Sequence, residues 1–530
     1  MSLVRKFASV GSGTMASRVF GFAREALIGA TLGAGPVADA FYAAFRFPNL
    51  FRRLFAEGAF NTAFIPLFAR ELEGGGREAA RRFAEEVLSV LIAALLTLSA
   101  LAILFMPALV GTVIAPAFAE SPDKFALTVQ MTRIMFPYLF CMSLVAMLSG
   151  ILNSMRRYFL AAFVPILLNL ILIGVLLAAI QIGATPRQTG LGLAWGVFAS
   201  GLVQLGFLVH GARRAGYTMS LRLPRLTPAV RRLLVLMGPA LLTGGVTQIN
   251  LLVGQIIASA QDGAIALLNY ADRINQLPLG VIGIAVGVVL LPELSRALQA
   301  GDEKDAQHLQ NRSLEFALGL TLPAAVGLMI MPAPIVNLLY ERGAFTAETT
   351  ALTAAALAAF AAGLPAYVLI KVFSPSFFAR EDMKTPMWFS MTAVAVNIVG
   401  SLALFPYYGH VGLAAATSAA AWINLALLAG TLWVRDEFRP APATLRRVGV
   451  IVIASFTMGA LLWAGEEHFA PFVGSATFLV RLAAVGLIIA AAAVVYFAIV
   501  IAGGALDRAQ LVGLLRRRGS GNRPADPDGT

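Results

Sequence analysis

From Tyr158 to Gln181 the chain reads YFLAAFVPILLNLILIGVLLAAIQ, without one charged residue, between Arg156 and Arg157 on one side and Arg187 on the other. A helix that crosses the hydrocarbon core needs about 20 mostly apolar residues, so this stretch reads as a membrane span closed off by cations. Working outward in both directions, runs of the same kind recur at 8–33, 36–69, 84–115, 125–151, 190–210, 233–260, 265–293, 313–339, 351–378, 386–406, 411–433, 447–465 and 474–503. With 158–181 they make about fourteen spans, the first two being the least apolar. The fold class expected is an all-α polytopic membrane protein.

Composition agrees. Of the 530 residues 58% are apolar and 13% charged, and the mean hydropathy is +0.79. The connectors at 211–232, 294–312 and after Gly504 are too short for a catalytic domain, which excludes an ordinary soluble enzyme. The formal charge of +12 reads as topology. Lys and Arg are retained in cytoplasmic loops, and with the N-terminus inside, the even-numbered connections and the tail collect Arg5, Lys6, Arg70, Arg77, Arg81, Arg82, the run from Arg213 to Arg232, Arg446, Arg447 and Arg516 to Arg518. Odd-numbered connections hold little beyond Lys124, Arg187, Arg342 and Arg481. Both termini are therefore expected in the cytoplasm, and nucleic acid is not an expected partner. No signal-peptide cleavage pattern follows Arg5 and Lys6. Cys141 reads as a small core residue, and His210, His308, His410 and His468 read as solvated connector residues that form no metal site.

The chain also repeats itself. Pro137 through Asn169 resembles Pro365 through Asn397 with both anchors shifted by one interval, and Tyr42 and Tyr270 share that shift. Ile65-Pro66 to Arg70 resembles Leu291-Pro292 to Arg296, and Gly192 and Gly412 open similar segments. Two six-helix lobes follow, 1–215 and 230–435. After them come a further helix pair, 440–503, and a cytoplasmic tail, 504–530. An even number of spans per copy gives the lobes the same orientation and places the expected transport cavity between them.

Charges inside spans need a cavity or a partner, because each costs at least ~2.5–3.5 kcal/mol at the bilayer centre. They gather in the first two spans: Arg18, Arg24, Glu25, Asp39, Arg46, Arg52, Arg53 and Glu57. Arg133, Asp272, Arg273 and Lys371 are the main later additions. Asp39, Tyr42, Arg46, Asn49, Arg53 and Glu57 follow helical steps and form one polar stripe, expected to face water. Cations outnumber anions here, and arginine's planar fork suits phosphate. The expected ligand is a phosphate or diphosphate head group. A drug or cation antiporter would instead want carboxylates and aromatics, and a membrane glycosyltransferase would need positioned acids or metal ligands, for which no motif is present.

Ser17-Arg18 through Arg24-Glu25, Ala38-Asp39, and Pro48-Asn49 through Arg52-Arg53 to Glu57-Gly58 resemble the MurJ/MviN family. The likeness continues through Thr112 to Phe118, Asn153-Ser154, Tyr270 to Arg273, Leu290 to Ser295 and Lys384 to Pro386, and so runs over most of the chain. It implies a fourteen-helix flippase that moves lipid II, an undecaprenyl-diphosphate-linked muropeptide, from the inner to the outer leaflet of the bacterial cytoplasmic membrane by alternating access, for peptidoglycan biosynthesis. It implies Arg18, Arg24, Arg52 and Arg273 as substrate-binding residues, with Ser17 and Asn49 beside them, Asp39 and Glu57 as gating residues, and 440–503 as the groove for the lipid tail. No catalytic residue, cofactor or metal is implied. A coupling cation or the membrane potential is the candidate energy source, and membrane lipids and cell-wall synthesis proteins are the candidate partners besides lipid II. A sodium site stays unassigned, since the seventh span offers Gln248, Asn250 and Gln255 but no carboxylate. A polysaccharide-repeat flippase or a drug/cation antiporter of the same superfamily is the alternative.

Overall fold

The computed structural model describes residues 3–54, 60–155, 157–475 and 477–505, and their regular structure is helical throughout, with no strand among them. The N-terminal segments are α1 (Leu3–Leu32), α2 (Pro36–Phe51), α3 (Phe60–Leu104), α4 (Pro122–Met135), α5 (Tyr138–Ser154), α6 (Tyr158–Gln181) and α7 (Pro186–Arg214). Then come α8 (Pro228–Ala258), α9 (Ala264–Gln299), α10 (Glu303–Ile330), α11 (Pro332–Tyr340), α12 (Ala347–Ala361), α13 (Leu364–Ala379), α14 (Lys384–Val434), α15 (Pro442–His468) and α16 (Phe478–Ala502).

Local chemistry sets the boundaries. Proline stands in the first turn of α2, α4, α7, α8 and α15, where its missing N–H is no loss. Thr185 and Gln188 close a reciprocal capping box on α7, and Thr227 caps α8. The long α3 and α14 each turn back at a glycine with positive φ, Gly76 (φ 74°) and Gly409 (φ 54°). Each is thus two helices run together, a break that side chains with a Cβ resist. Within the second expected span the described residues are helical up to Leu54 and again from Phe60.

Nine helical segments among the described residues are long and apolar enough to cross a bilayer, the two broken helices each counting once. Neither α1 nor α2 is among them: α2 is only 16 residues long, and polar and charged residues such as Arg18, Arg24 and Glu25 interrupt the apolar run of α1. A multi-pass membrane protein results.

Two compact units form. The first gathers residues 1–273, 339–353 and 394–416. Its core includes a ladder of stacked rings, Phe60, Phe64, Phe68 and Phe83, between the two limbs of α3. Cys141 is buried within α5. The second unit gathers 274–338, 354–393 and 417–530. There α10 packs against α13 and α15, and α15 against α16. Glu315 of α10 accepts from Thr444 (2.6 Å) and Arg447 (2.9 Å) of α15, and Tyr496 of α16 donates to the Gly319 carbonyl (2.6 Å).

Candidate functional site

Two intramembrane cations, Arg24 of α1 and Arg273 of α9, close on one carboxylate, Glu25 of α1. Glu25 is 1% exposed and takes four donors: Arg24, Arg273 Nη2 (3.0 Å), Tyr42 Oη (2.7 Å) and Asn269 Nδ2 (3.3 Å). Helix α1 supplies the acid and one arginine, α2 the tyrosine, and α9 the second arginine and the amide. Full coordination is what allows a carboxylate to stay charged out of water. Two guanidinium groups against one carboxylate leave the cluster with a net positive charge. Arg24 is itself 6% exposed. Its Nη1 donates to Asn169 Oδ1 (3.0 Å), and Asn169 Nδ2 donates to the Ser17 carbonyl (3.0 Å). Arg24 Nε is buried and meets no acceptor among the described residues. Arg273 keeps about a third of its side chain exposed (35%), so the charge is reachable.

Two tyrosines that share the shift noted in the sequence meet beside this cluster. Tyr42 and Tyr270 pack edge to face with ring centroids 5.7 Å apart, and Tyr270 donates to the Gly33 carbonyl (2.8 Å). Tyr340 and Phe345 extend the aromatic box at 5.3 Å from Tyr270. Rings enclosing a fixed ion cluster exclude water and strengthen its fields.

A second ionic centre lies at Asp39, which is fully buried. Its Oδ2 accepts from Lys124 Nζ (2.8 Å) and from the Gly263 amide (2.7 Å), and its Oδ1 from the Ala266 amide (3.0 Å) at the start of α9. Lys124 also reaches Asp262 (2.9 Å). Nearby backbones touch directly: the Ala344 amide donates to the Ala30 carbonyl (2.8 Å), and Gly33 (φ 58°) and Gly343 (φ 60°) leave no room for a Cβ against Ala344 and Ala30. Asp39 and these glycines thus clasp α1, α2 and the loops before α9 and α12 into one closed end of the first unit.

Among the expected site residues, Arg24 and Arg273 come together on Glu25. Arg52 Nε donates to Asn49 Oδ1 (2.7 Å) as a separate pair. Arg18 and Ser17 are half-buried. Glu57 lies outside the described residues. The polar stripe needs correction: among its described residues Asp39 and Tyr42 are buried in protein contacts, Arg46 and Asn49 are half-buried and Arg53 is exposed. Its first turns face partners donated by other helices, not water. His410, expected in solvent, is 3% exposed. Its backbone amide donates to Gln261 Oε1 (2.7 Å), and its ring Nε2 bonds the Leu352 carbonyl (2.9 Å). The turn at Gly409 folds it under the closed end. Two of the three amides considered for sodium have protein partners: Gln255 donates to the Ile114 carbonyl (2.9 Å), and Asn250 accepts from Asn397 (2.8 Å).

Sequence reading did not single out Glu25 as the hub, nor Asn169, Asn269 or Lys124. Asn169 carried a signal, as an anchor of the repeat. Lys124 was counted as an exposed loop cation, and only the fold shows it buried against Asp39.

The profile of the family described as "Lipid II flippase MurJ" matches residues 28–501. The chain belongs to that family. The probable lipid II flippase MurJ of Rhizobium tropici is 52% identical over 526 residues, covering 99% of this chain and 98% of the relative. That of Rickettsia prowazekii is 35% identical over 94% of this chain and 97% of its own length. Among solved structures, "Lipid II flippase MurJ, inward closed conformation" superposes with a TM-score of 0.74 at 25% identity, covering 93% of this chain and 99% of that one. An inward-facing MATE family transporter of the MOP superfamily, 15% identical, shares the fold at a TM-score of 0.64 over 79% of this MurJ-family chain and 94% of its own.

Proposed function

We propose that this chain carries lipid II from the inner to the outer leaflet of the bacterial cytoplasmic membrane, as a transporter that performs no covalent chemistry. The observation that carries the reading is the buried Arg24–Glu25–Arg273 cluster with its unfilled Arg24 Nε. A diphosphate offers the oxygens that this geometry lacks, and arginine binds them with paired, charge-assisted hydrogen bonds. Glu25 then acts as a placeholder. It holds both guanidinium groups when the site is empty, yields them to phosphate, and reclaims them as the head group leaves, so binding stays reversible.

In this reading Arg18, Arg52, Ser17 and Asn49 line the path of the head group, and Asp39 and Glu57 gate it. The lobes 1–215 and 230–435 alternate access, 440–503 holds the polyprenyl tail, and 504–530 is a cytoplasmic tail. Both chain ends lie inside, as the loop cations favour. No cofactor takes part, and a coupling cation or the membrane potential resets the carrier.

The test is exposure of lipid II at the outer leaflet of cells depleted of their own flippase, with the intact protein compared with Arg24→Ala at matched membrane levels. Restoration by the intact protein alone is expected. Normal exposure with Arg24→Ala would remove the cluster from the mechanism. No restoration by a correctly inserted intact protein would turn the reading toward another lipid-linked glycan or a drug/cation substrate.

A further inference from the structure

Away from the charged cluster, the first unit holds two cavities end to end along the same helices. One, of about 250 Å³, is lined by apolar groups including Phe60, Val87, Leu91, Leu95, Leu233 and Met237, and opens sideways past Ala94 and Leu234. The other, of about 260 Å³, is lined by Leu67, Arg70, Glu71, Phe83, Ala229 and Arg232. Three chain segments pass from one to the other in register. The first limb of α3 runs from Phe60 to Arg70, its second limb back from Phe83 to Val87 and onward, and α8 from Ala229 to Leu233 and Met237. The apolar slot therefore continues into a polar recess one to two turns away.

We infer that this pair of cavities is a binding site for an anionic phospholipid, with one acyl chain in the slot and the phosphate between Arg70 and Arg232. The slot's open side is within the span, where its natural filling is hydrocarbon. Two arginines against Glu71 leave the recess with one positive charge, which suits a phosphodiester that carries no cation of its own and disfavours a zwitterionic head group. None of these residues belongs to the Glu25 or Asp39 clusters. A lipid there binds the first limb of α3 to its second limb and to α8, and does so whether or not the chain carries lipid II.

The experiment is native mass spectrometry of the full-length protein in detergent, titrated with dioleoyl phosphatidylglycerol or dioleoyl phosphatidylcholine. The intact protein is expected to retain the anionic lipid at least fivefold more strongly. Arg70→Gln with Arg232→Gln should erase that preference, each single change giving part of the loss, and Ala94→Trp, which fills the slot, should weaken both lipids. The single variants keep the test decisive if the double variant folds poorly. Equal retention of the two lipids by the intact protein overturns the inference. So does a preference undiminished in the arginine variants, or an Ala94→Trp protein that retains phosphatidylglycerol as strongly as the intact protein.

Discussion

Replacing Lys124 by Met should loosen the clasp that Asp39 makes at the start of α9. In the intact protein Lys124, 5% exposed, is the only cation bonded to Asp39 among the described contacts, while the Gly263 and Ala266 amides fill the remaining positions. Methionine keeps the apolar stem beside Phe118, whose ring lies 4.1 Å from the ammonium, and removes the charge. Breaking a buried ion pair from one side costs about 3–5 kcal/mol, because the remaining ion stays out of water without compensation. If that loss falls on the local opening that frees Gly263 and Ala266, their amide exchange should quicken on the order of a hundred- to a few-thousand-fold. Hydrogen-exchange mass spectrometry on peptides spanning 260–268, in detergent at fixed pH, reads this directly. The same lysine supplies its own control, since its other partner, Asp262, is 86% exposed. Asp262→Asn should change stability by only about 0–1 kcal/mol, hence exchange by about fivefold or less. Unchanged exchange in Lys124→Met, or an equal effect of Asp262→Asn, would refute the claim that burial of Asp39 gives this contact its weight.

Gly33→Ala should lower the melting temperature more than Gly216→Ala. Both glycines have positive φ (58° and 75°), which costs alanine about 1–2 kcal/mol, but only Gly33 also faces a neighbouring backbone, and overpacking there adds about 1–3 kcal/mol. At the turn before α14, hydrogen bonds from Arg435 and from the Thr385 hydroxyl and amide hold the Asp382 carboxyl at about 2. A depressed carboxylate contributes stability that is present above its unfolded value near 4 and is lost as pH falls toward 2. Melting curves of Asp382→Asn should therefore show a flatter decline than the intact protein between about pH 4 and 2.

The division between sequence and structure is visible residue by residue. Uncharged runs such as 158–181 fixed the helices, because a backbone in hydrocarbon must satisfy its own hydrogen bonds and the chain signals this locally. The crowding of Arg18, Arg24, Glu25 and Asp39 into two spans marked where buried ion pairs had to form, since such charges are otherwise too expensive to bury. Tyr42 and Tyr270 were singled out by their shared shift, and the structure brings the two rings together. Partnership was another matter. Glu25 lies next to Arg24 in sequence but 248 residues from Arg273, and Lys124 looked like a loop cation until α4 carried it against Asp39. Likewise the stripe on α2 named which side chains share a face but not what that face meets. Periodicity reports the face of one helix. Which face of which other helix lies opposite depends on packing and on turns such as Gly33, Gly76, Gly343 and Gly409, so the pairing of charges was decided only by the tertiary structure.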